Sequence, residues 1–558
     1  MSASTPKKNS FFGGAAILTA SVIVVKLIGA LYKVPLGNIL TDAAFADFNT
    51  AYDIYSLLII ISTGGLPVAL SKMVSEANAL GRVNQVKKVF TLALAAFCVL
   101  GTISFCIMAF LPQQLADLMQ DSHAAYSILA LAPAVFFICP MSAMRGYFQG
   151  HAQMTPTAVS QVIEALCKLV IGLALASAFK TSFEDEAMAA AGAILGVSVG
   201  CLLGAVYMYV CYRRHSRSQP RSNDEPEDSK AILTTLAALA IPITLSSSVI
   251  ALTNILDNAI LMGRLQDALG LSLDEARTLK GVYNKALTLY NLPASFMVPL
   301  TASVIPHVSA ALKVKRRRQA AQISETTLRT TALLAIPAGV GLFVLGEPII
   351  RLLYASTDVE LGGWMLSVLG AASIAVCFML VSNSILQAHR MVALPMTTTV
   401  IGCAMKLAVG YVLIGSEDIG IRGGPISTVV CFWLIALLDL FIIKRTLPRS
   451  LSMARVFVKP VGAAAAMGAA AWAVNGLCYQ LLVKLNLFLE LGEDEKPLLD
   501  AAGNALLSRT GTALSVAAAI GVAVVVYFAL ILVTRAISKE DLALLPKGDK
   551  IARILRVE

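Results

Sequence analysis

The chain has 558 residues, of which 57% are hydrophobic and only 14% charged, with a formal net charge of +10. An ordinary soluble domain is about 25% charged, so this composition excludes a soluble globular protein and fits a chain whose surface faces lipid. The basic residues form short clusters between apolar runs rather than one patch or stripe, which excludes a nucleic-acid surface.

A membrane-spanning helix needs about 20 predominantly apolar residues. In chain order, such segments lie near 10–34, 46–70, 88–112, 124–149, 155–179, 187–212 and 231–262, then near 281–310, 326–350, 361–387, 393–415, 423–444, 459–483 and 508–535. The first follows Lys7 and Lys8, is longer than a signal-peptide core and lacks a small-x-small cleavage site, so it reads as a membrane helix. The sequence therefore predicts an all-α polytopic protein of about fourteen transmembrane helices.

Alternate connections are basic: Lys72/Arg82/Lys87/Lys88, Arg145, Arg213/Arg214/Arg217/Arg221, Lys313/Lys315/Arg316/Arg317/Arg318, Arg390, Lys444/Arg445/Arg449/Arg455 and the C-terminal tail. Those between them are acidic, among them Asp117/Asp121, Glu184/Asp185/Glu186 and Asp358/Glu360. The Lys/Arg bias places both termini in the cytoplasm. It also places 263–280 outside, where LSLDEARTL reads as a short interfacial helix. The expected organisation is an N-terminal lobe at 1–212, a cytoplasmic linker at 213–230, a C-terminal lobe at 231–450, and two extra helices with a basic tail at 451–558.

An internal repeat relates the lobes. RGYFQGHAQMTPTAVSQVIEALCK (Arg145–Lys168) and NSILQAHRMVALPMTTTVIGCAMK (Asn383–Lys406) match Gln149, His151 and Lys168 to Gln387, His389 and Lys406 at a constant offset of 238 residues. Pro156 and Pro395 match after a one-residue slip. Six-helix spacing makes the repeat parallel, with an axis along the membrane normal, the usual frame for alternating access around a central cavity.

No ATP-binding, metalloprotease or nucleophile-elbow motif occurs, and the ten cysteines show no metal-ligand spacing. The expectation is a transporter without cofactor or metal, leaving the membrane potential or a monovalent cation as the energy source. The informative residues are charges inside apolar helices, because an ionised group in hydrocarbon is expensive unless paired or hydrated. Lys26 and Asp53 on the first two helices, Asp257 with Asn254 on the seventh, and Lys285 with Asn291 on the eighth are candidates to line one cavity. The alternative is two structural ion pairs. Glu164 and Lys168, spaced i,i+4, suit a local ion pair, whereas Lys406 has Gly402 four residues earlier and is the more informative lysine. Gly64, Gly65 and Pro67 in the second helix and Pro293 in the eighth are candidate bends that could gate the cavity.

The runs VVKLIGALYKVPLGNIL, STGGLPVALSKMVSEANALG, RGYFQG and YNKALTLYNLPASFMVPLTASVIPHVS resemble the SpoVB/YtgP group of polysaccharide-biosynthesis membrane proteins. That group is related to the MurJ-like lipid II flippases of the MOP superfamily, which also contains the MATE exporters. The resemblance implies a bacterial plasma-membrane flippase for an undecaprenyl-pyrophosphate-linked disaccharide-pentapeptide. It would act in peptidoglycan biosynthesis of the vegetative wall or of sporulation. The implied fold has two six-helix lobes around a cationic cavity, with the last two helices bordering a lipid groove. The implied partners are the lipid-linked precursor, membrane lipids and cell-wall synthesis enzymes. Lys26 takes the place of one flippase arginine, and Tyr32, beside Lys33, that of a second. The helix-two arginine falls in an apolar stretch, and the helix-eight arginine falls near Thr288, one turn after Lys285. Other lipid-linked oligosaccharides remain alternative substrates, and a cation-coupled drug antiporter of MATE type remains an alternative function.

Overall fold

Backbone amides in a bilayer find no water, so each spanning segment must close its own hydrogen bonds. The chain does this as helix nearly throughout. The computed structural model describes residues 8–183, 185–219, 222–354, 356–389, 391, 393–446, 453–490, 505 and 507–534. In order the helices are α1 (Lys8–Ile39), α2 (Asp42–Thr63), α3 (Leu66–Ala79), α4 (Val83–Phe110), α5 (Pro112–Leu118), α6 (Ala125–Gly150), α7 (Thr155–Phe183) and α8 (Glu186–Ser218). They continue as α9 (Ser229–Gly263), α10 (Leu273–Lys313), α11 (Arg317–Val344), α12 (Gly346–Leu353), α13 (Val359–Ala388), α14 (Ala393–Ile414), α15 (Gly423–Thr446), α16 (Met453–Lys484) and α17 (Arg509–Val533).

Among the described residues, 12 helices are long and apolar enough to cross a membrane, or up to 13 when the bent pair within α9 counts as one span. The chain is a multi-pass membrane protein, with a span count close to the expected fourteen. The 41-residue α10, which covers the expected segment 281–310, is not among those counted.

Helix starts follow local chemistry. Thr41, Asp185, Asp228, Asp358 and Ser508 are N-caps whose side chains accept a backbone N–H of the first turn. Asp185 and Asp358, two of the acids expected in loops, are therefore helix-starting residues. Gly64 and Gly65 separate α2 from α3, which opens with Leu66-Pro67. Gly65 N–H donates to Thr244 Oγ1 at 3.0 Å, and a Cβ on Gly65 would collide with the Ala240 carbonyl of α9. Within α9, Ser229–Leu245 and Ser247–Ala268 meet at 40° just beyond Pro242, where proline removes a ladder hydrogen bond. Pro293 lies in α10, which is helical on both sides of it.

One expectation needs correction. LSLDEARTL is not a separate interfacial helix: a single π-turn at Arg264–Ala268 precedes α10, and Leu273 opens α10 itself. The helix tolerates this polar start because Arg277 and Lys280 are buried against carboxylates. The 213–230 segment, expected as a linker, is hydrogen-bonded to the start of α4 in its described part. α8 runs to Ser218, Asp224 accepts from Asn84 N and Gln85 N at 2.9 and 2.8 Å, and Glu227 N donates to Gln85 Oε1 at 2.7 Å. Desolvation pushes the Asp224 carboxyl up, but hydrogen bonds with Ser222 and with the Asn84 and Gln85 amides hold it down at about 2.

The chain divides into two compact units, Met1–Gly281 and Val282–Glu558. The division falls beyond the 213–230 segment because α9 packs on α2, α3 and α4 of the first unit. One core of that unit gathers Tyr32, Phe45, Phe48, Ile128 and Ile194, and a second gathers Leu70, Phe90, Phe97, Phe148 and Leu236. In the second unit α13 packs against α11, α12 and α15, while α16 packs on α17 and α11. Tyr527 of α17 donates to Leu333 O of α11 at 2.7 Å.

The repeat is structural. His151 caps α6 and its Nδ1 lies 2.9 Å from Tyr147 O; His389 caps α13 and its Nδ1 lies 2.9 Å from Ile385 O. The helices that follow start at Thr155 and Ala393, at the same offset as the histidines.

Candidate functional site

Lys26 and Lys33 are seven residues apart on α1, close to two full turns, so they share a face. α7 packs along α1 and supplies Lys168. Its Nζ lies 4.8 Å from the Tyr32 ring centroid and 4.5 Å from that of Tyr52, held between two aromatic faces. Lys33 Nζ donates to Asn49 Oδ1 at 3.3 Å, and Asn49 is held by its own bond to Phe45 O at 2.7 Å. Phe45, Phe48, Tyr52 and Tyr55 continue the aromatic wall along α2. The three ammonium groups are close enough for their charges to oppose one another. None of the ion pairs among the described residues involves them.

Three like charges gathered in low dielectric repel strongly. With a polyanion they become its counter-charges, so this arrangement has the chemistry to hold an anion.

Asp53 lies one turn beyond Asn49. Its Oδ2 accepts from Asn258 Nδ2 at 2.7 Å, and the Lys33, Lys280 and Asp257 charges are within electrostatic reach. The alternative of a Lys26–Asp53 ion pair is not realised among the described residues: Lys26 is exposed and Asp53 is satisfied by an amide. The expected Glu164–Lys168 pair is also not formed. Glu164 pairs with Arg145, which also donates to Ser160 Oγ at 2.9 Å, leaving Lys168 to the tyrosines. Guanidinium wins because it can fork between a carboxylate and a hydroxyl, whereas an ammonium is satisfied by ring faces. Asn254 is exposed and Asp257 half-buried on α9.

In the second unit, Lys285 is fully buried with Nζ 5.3 Å from the Tyr354 ring centroid. Lys406 is buried on α14 within electrostatic reach of Tyr290. Asn291 is exposed, with its amide donated to Leu287 O at 2.8 Å.

Sequence reasoning named Lys33 only as the neighbour of Tyr32, missed Asn49, Asn258 and the tyrosine clamp, and discounted Lys168. The seven-residue spacing from Lys26 was a usable signal for Lys33. It also missed a buried network: Asp47 and Thr50 on α2, Asp121 before α6, and Arg277 and Lys280 on α10. Lys280 Nζ donates to Thr50 Oγ1 at 2.6 Å, and Thr50 donates to Asp121 Oδ2 at 2.8 Å. Burial pushes the Asp121 carboxyl up, but Lys280 first, then Thr50 and Arg277, bring it below the ordinary value. With acids and bases balanced, this network is structural, in contrast to the lysine cluster.

The family profile described as "Polysaccharide biosynthesis protein" matches residues 11–312, more than half of the chain. The chain belongs to the polysaccharide biosynthesis protein family. The MatE profile matches residues 281–412. Stage V sporulation protein B of Bacillus subtilis (strain 168) is 25% identical over 544 residues, covering 97% of this chain and 98% of that protein. The lipid II flippase MurJ of the same strain is 26% identical over 420 residues, covering 72% and 77%. Among solved structures, an inward closed conformation of lipid II flippase MurJ aligns with TM-score 0.66 at 14% identity, covering 93% of this chain and 98% of that one. An inward-facing MATE multidrug resistance transporter of the MOP superfamily aligns with TM-score 0.62 at 15% identity, covering 77% and 98%. This member of the polysaccharide biosynthesis protein family thus has the fold of the MOP superfamily transporters, and its relatives include a lipid II flippase.

Proposed function

We propose that this protein is a flippase for a lipid-linked, pyrophosphate-bearing glycan precursor of the lipid II type, translocated across the bacterial plasma membrane by alternating access. The observation that carries this reading is the cluster of Lys26, Lys33 and Lys168, three cations outside the ion pairs of the described residues and bordered by tyrosine and asparagine. A pyrophosphate moving through low dielectric needs fixed cationic partners. The relatives named for sporulation and for lipid II flipping support the substrate class.

A capsule or teichoic unit on the same lipid carrier presents the same pyrophosphate, so the cluster serves that substrate equally. A cationic drug would be repelled by three ammonium groups, which disfavours the antiporter reading. Coupling is assigned to an ion gradient or the membrane potential, and the termini to the cytoplasm. Complementation of a strain depleted of its lipid II flippase is the test. Growth rescue by the wild type but not by a Lys33→Ala/Lys168→Ala protein of equal abundance supports the reading, and no rescue by the wild type removes lipid II as the substrate.

A further inference from the structure

The internal repeat places two equivalent side-chain clusters in the two units, and they differ in one charge. In the first unit Arg145 of α6 reaches Ser160 and Glu164 of α7, and Ser160 Oγ also donates to Thr157 O at 2.8 Å. At the offset of 238 residues, Thr398 stands where Ser160 does. It lies 3.1 Å from Pro395 O, the counterpart of Thr157 O, and donates to a carboxylate, Asp439 Oδ1, at 2.7 Å. Here the acid comes from α15 because Gly402 occupies the Glu164 position, and Asn383 occupies that of Arg145. The second unit therefore sets a buried carboxylate on the hydroxyl that in the first unit accepts from a guanidinium, and it has no guanidinium at the equivalent position.

Asp439 is fully buried among α13, α14 and α15. Among the described residues its Oδ2 has no hydrogen-bond partner, and neither does the buried Oδ1 of Asn383. The titratable and charged groups on the surrounding elements are Glu360 and Cys377 on α13 with His389 at its C-cap, and Cys403, Lys406 and Tyr411 on α14. Cys431, Lys444 and Arg445 lie on α15 itself, and Tyr283 on α10. His389 is bonded to Ile385 O, Arg445 lies over the Phe441 ring, and Tyr283 bonds Thr428, about three turns from Asp439. No ion pair among the described residues includes Asp439.

A buried carboxylate without a counter-charge is expensive, and such a group neutralises itself by taking a proton. Protonation also turns Oδ2 from an acceptor without a donor into a donor. We propose that Asp439, set on Thr398, is a proton-binding site of the second unit, the exchangeable proton standing where Arg145 supplies a fixed charge in the first. The binding step is the addition of one solvent proton to the Asp439 carboxylate, with no other bond made or broken. A metal cation is the weaker occupant: among the described residues, the buried side-chain oxygens without a partner on α13, α14 and α15 are Asp439 Oδ2, Asn383 Oδ1 and Ser382 Oγ, fewer than the roughly six that a hard cation such as calcium takes. The assignment does not depend on the substrate proposed above.

The test is infrared spectroscopy of the purified protein in lipid nanodiscs. The expected result is a protonated-carboxyl C=O band at neutral pH that Asp439→Asn lacks. The band should persist when potassium is exchanged for sodium and convert to the ionised-carboxylate region as pH is raised. Asn383→Arg, which restores the guanidinium of the first unit, should abolish the band at neutral pH. If Asp439→Asn fails to fold, Asp439→Glu with carboxyl-13C aspartate serves: the wild-type band shifts with the label and the Glu band does not. Absence of the band in the wild type, or its loss on adding sodium at constant pH, overturns the proposal.

Discussion

Arg277 grips Asp47 with two nitrogens, Nε to Oδ1 at 2.9 Å and Nη2 to Oδ2 at 2.6 Å, across 230 residues of sequence. Both side chains are buried, and the third nitrogen reaches Asp274 at 2.6 Å. Removing one partner of a buried pair strands the other, which costs about 3–5 kcal/mol. Arg277→Ala is expected to lower the thermal midpoint and the membrane abundance sharply, with Asp47→Ala similar. The double replacement should cost clearly less than the sum of the singles, and strict additivity in a thermal-shift cycle would remove the pair from the account.

The lysine cluster makes the opposite forecast. Lys26→Ala, Lys33→Ala and Lys168→Ala should abolish complementation while abundance stays near wild type, because taking one of three mutually repelling cations away relieves the fold. Lys26→Arg should keep activity because the charge is retained. Asp53→Asn should fold and should not restore a Lys26→Ala protein, since Asp53 is bonded to Asn258 and not to Lys26. Full rescue of Lys26→Ala by Asp53→Asn would return Lys26 to a structural role.

Glu164 answers to Arg145 and not to Lys168. Loss of Glu164 should be compensated in stability by loss of Arg145 and unaffected by Lys168→Ala. A coupling of about 1–3 kcal/mol is expected for the first pair, read from midpoints in a double-mutant cycle, and none for the second.

Gly65→Ala tests the break between α2 and α3. The added methyl meets the Ala240 carbonyl, a backbone atom that cannot rotate away. Overpacking of this kind costs about 1–3 kcal/mol. A midpoint equal to wild type would mean the two helices are not held together at this position.

Membrane sidedness follows from the Lys/Arg bias alone. A single cysteine placed within 213–230 should react with a membrane-impermeant maleimide only after the cells are opened. Labelling of intact cells would invert the assignment.

The local features were legible in the sequence because they depend on neighbours within a turn or two. Apolar length marked the spans, Asp185 and Asp358 sat where caps belong, Gly64-Gly65-Pro67 ended a helix, and the Gln-x-His repeat reappeared as two identical C-caps. Family membership was legible for the same reason, through short runs of residues. Charge partnership was not. Spacing allowed Glu164 to meet Lys168 and depth allowed Lys26 to meet Asp53, yet Arg145 and Asn258, on other helices, took the carboxylates. The Asp47–Arg277 clasp joins residues that no periodicity relates. A side chain's partner is set by which helix faces pack together, and in this protein the tertiary structure alone separates a network of paired charges from three lysines outside the ion pairs of the described residues.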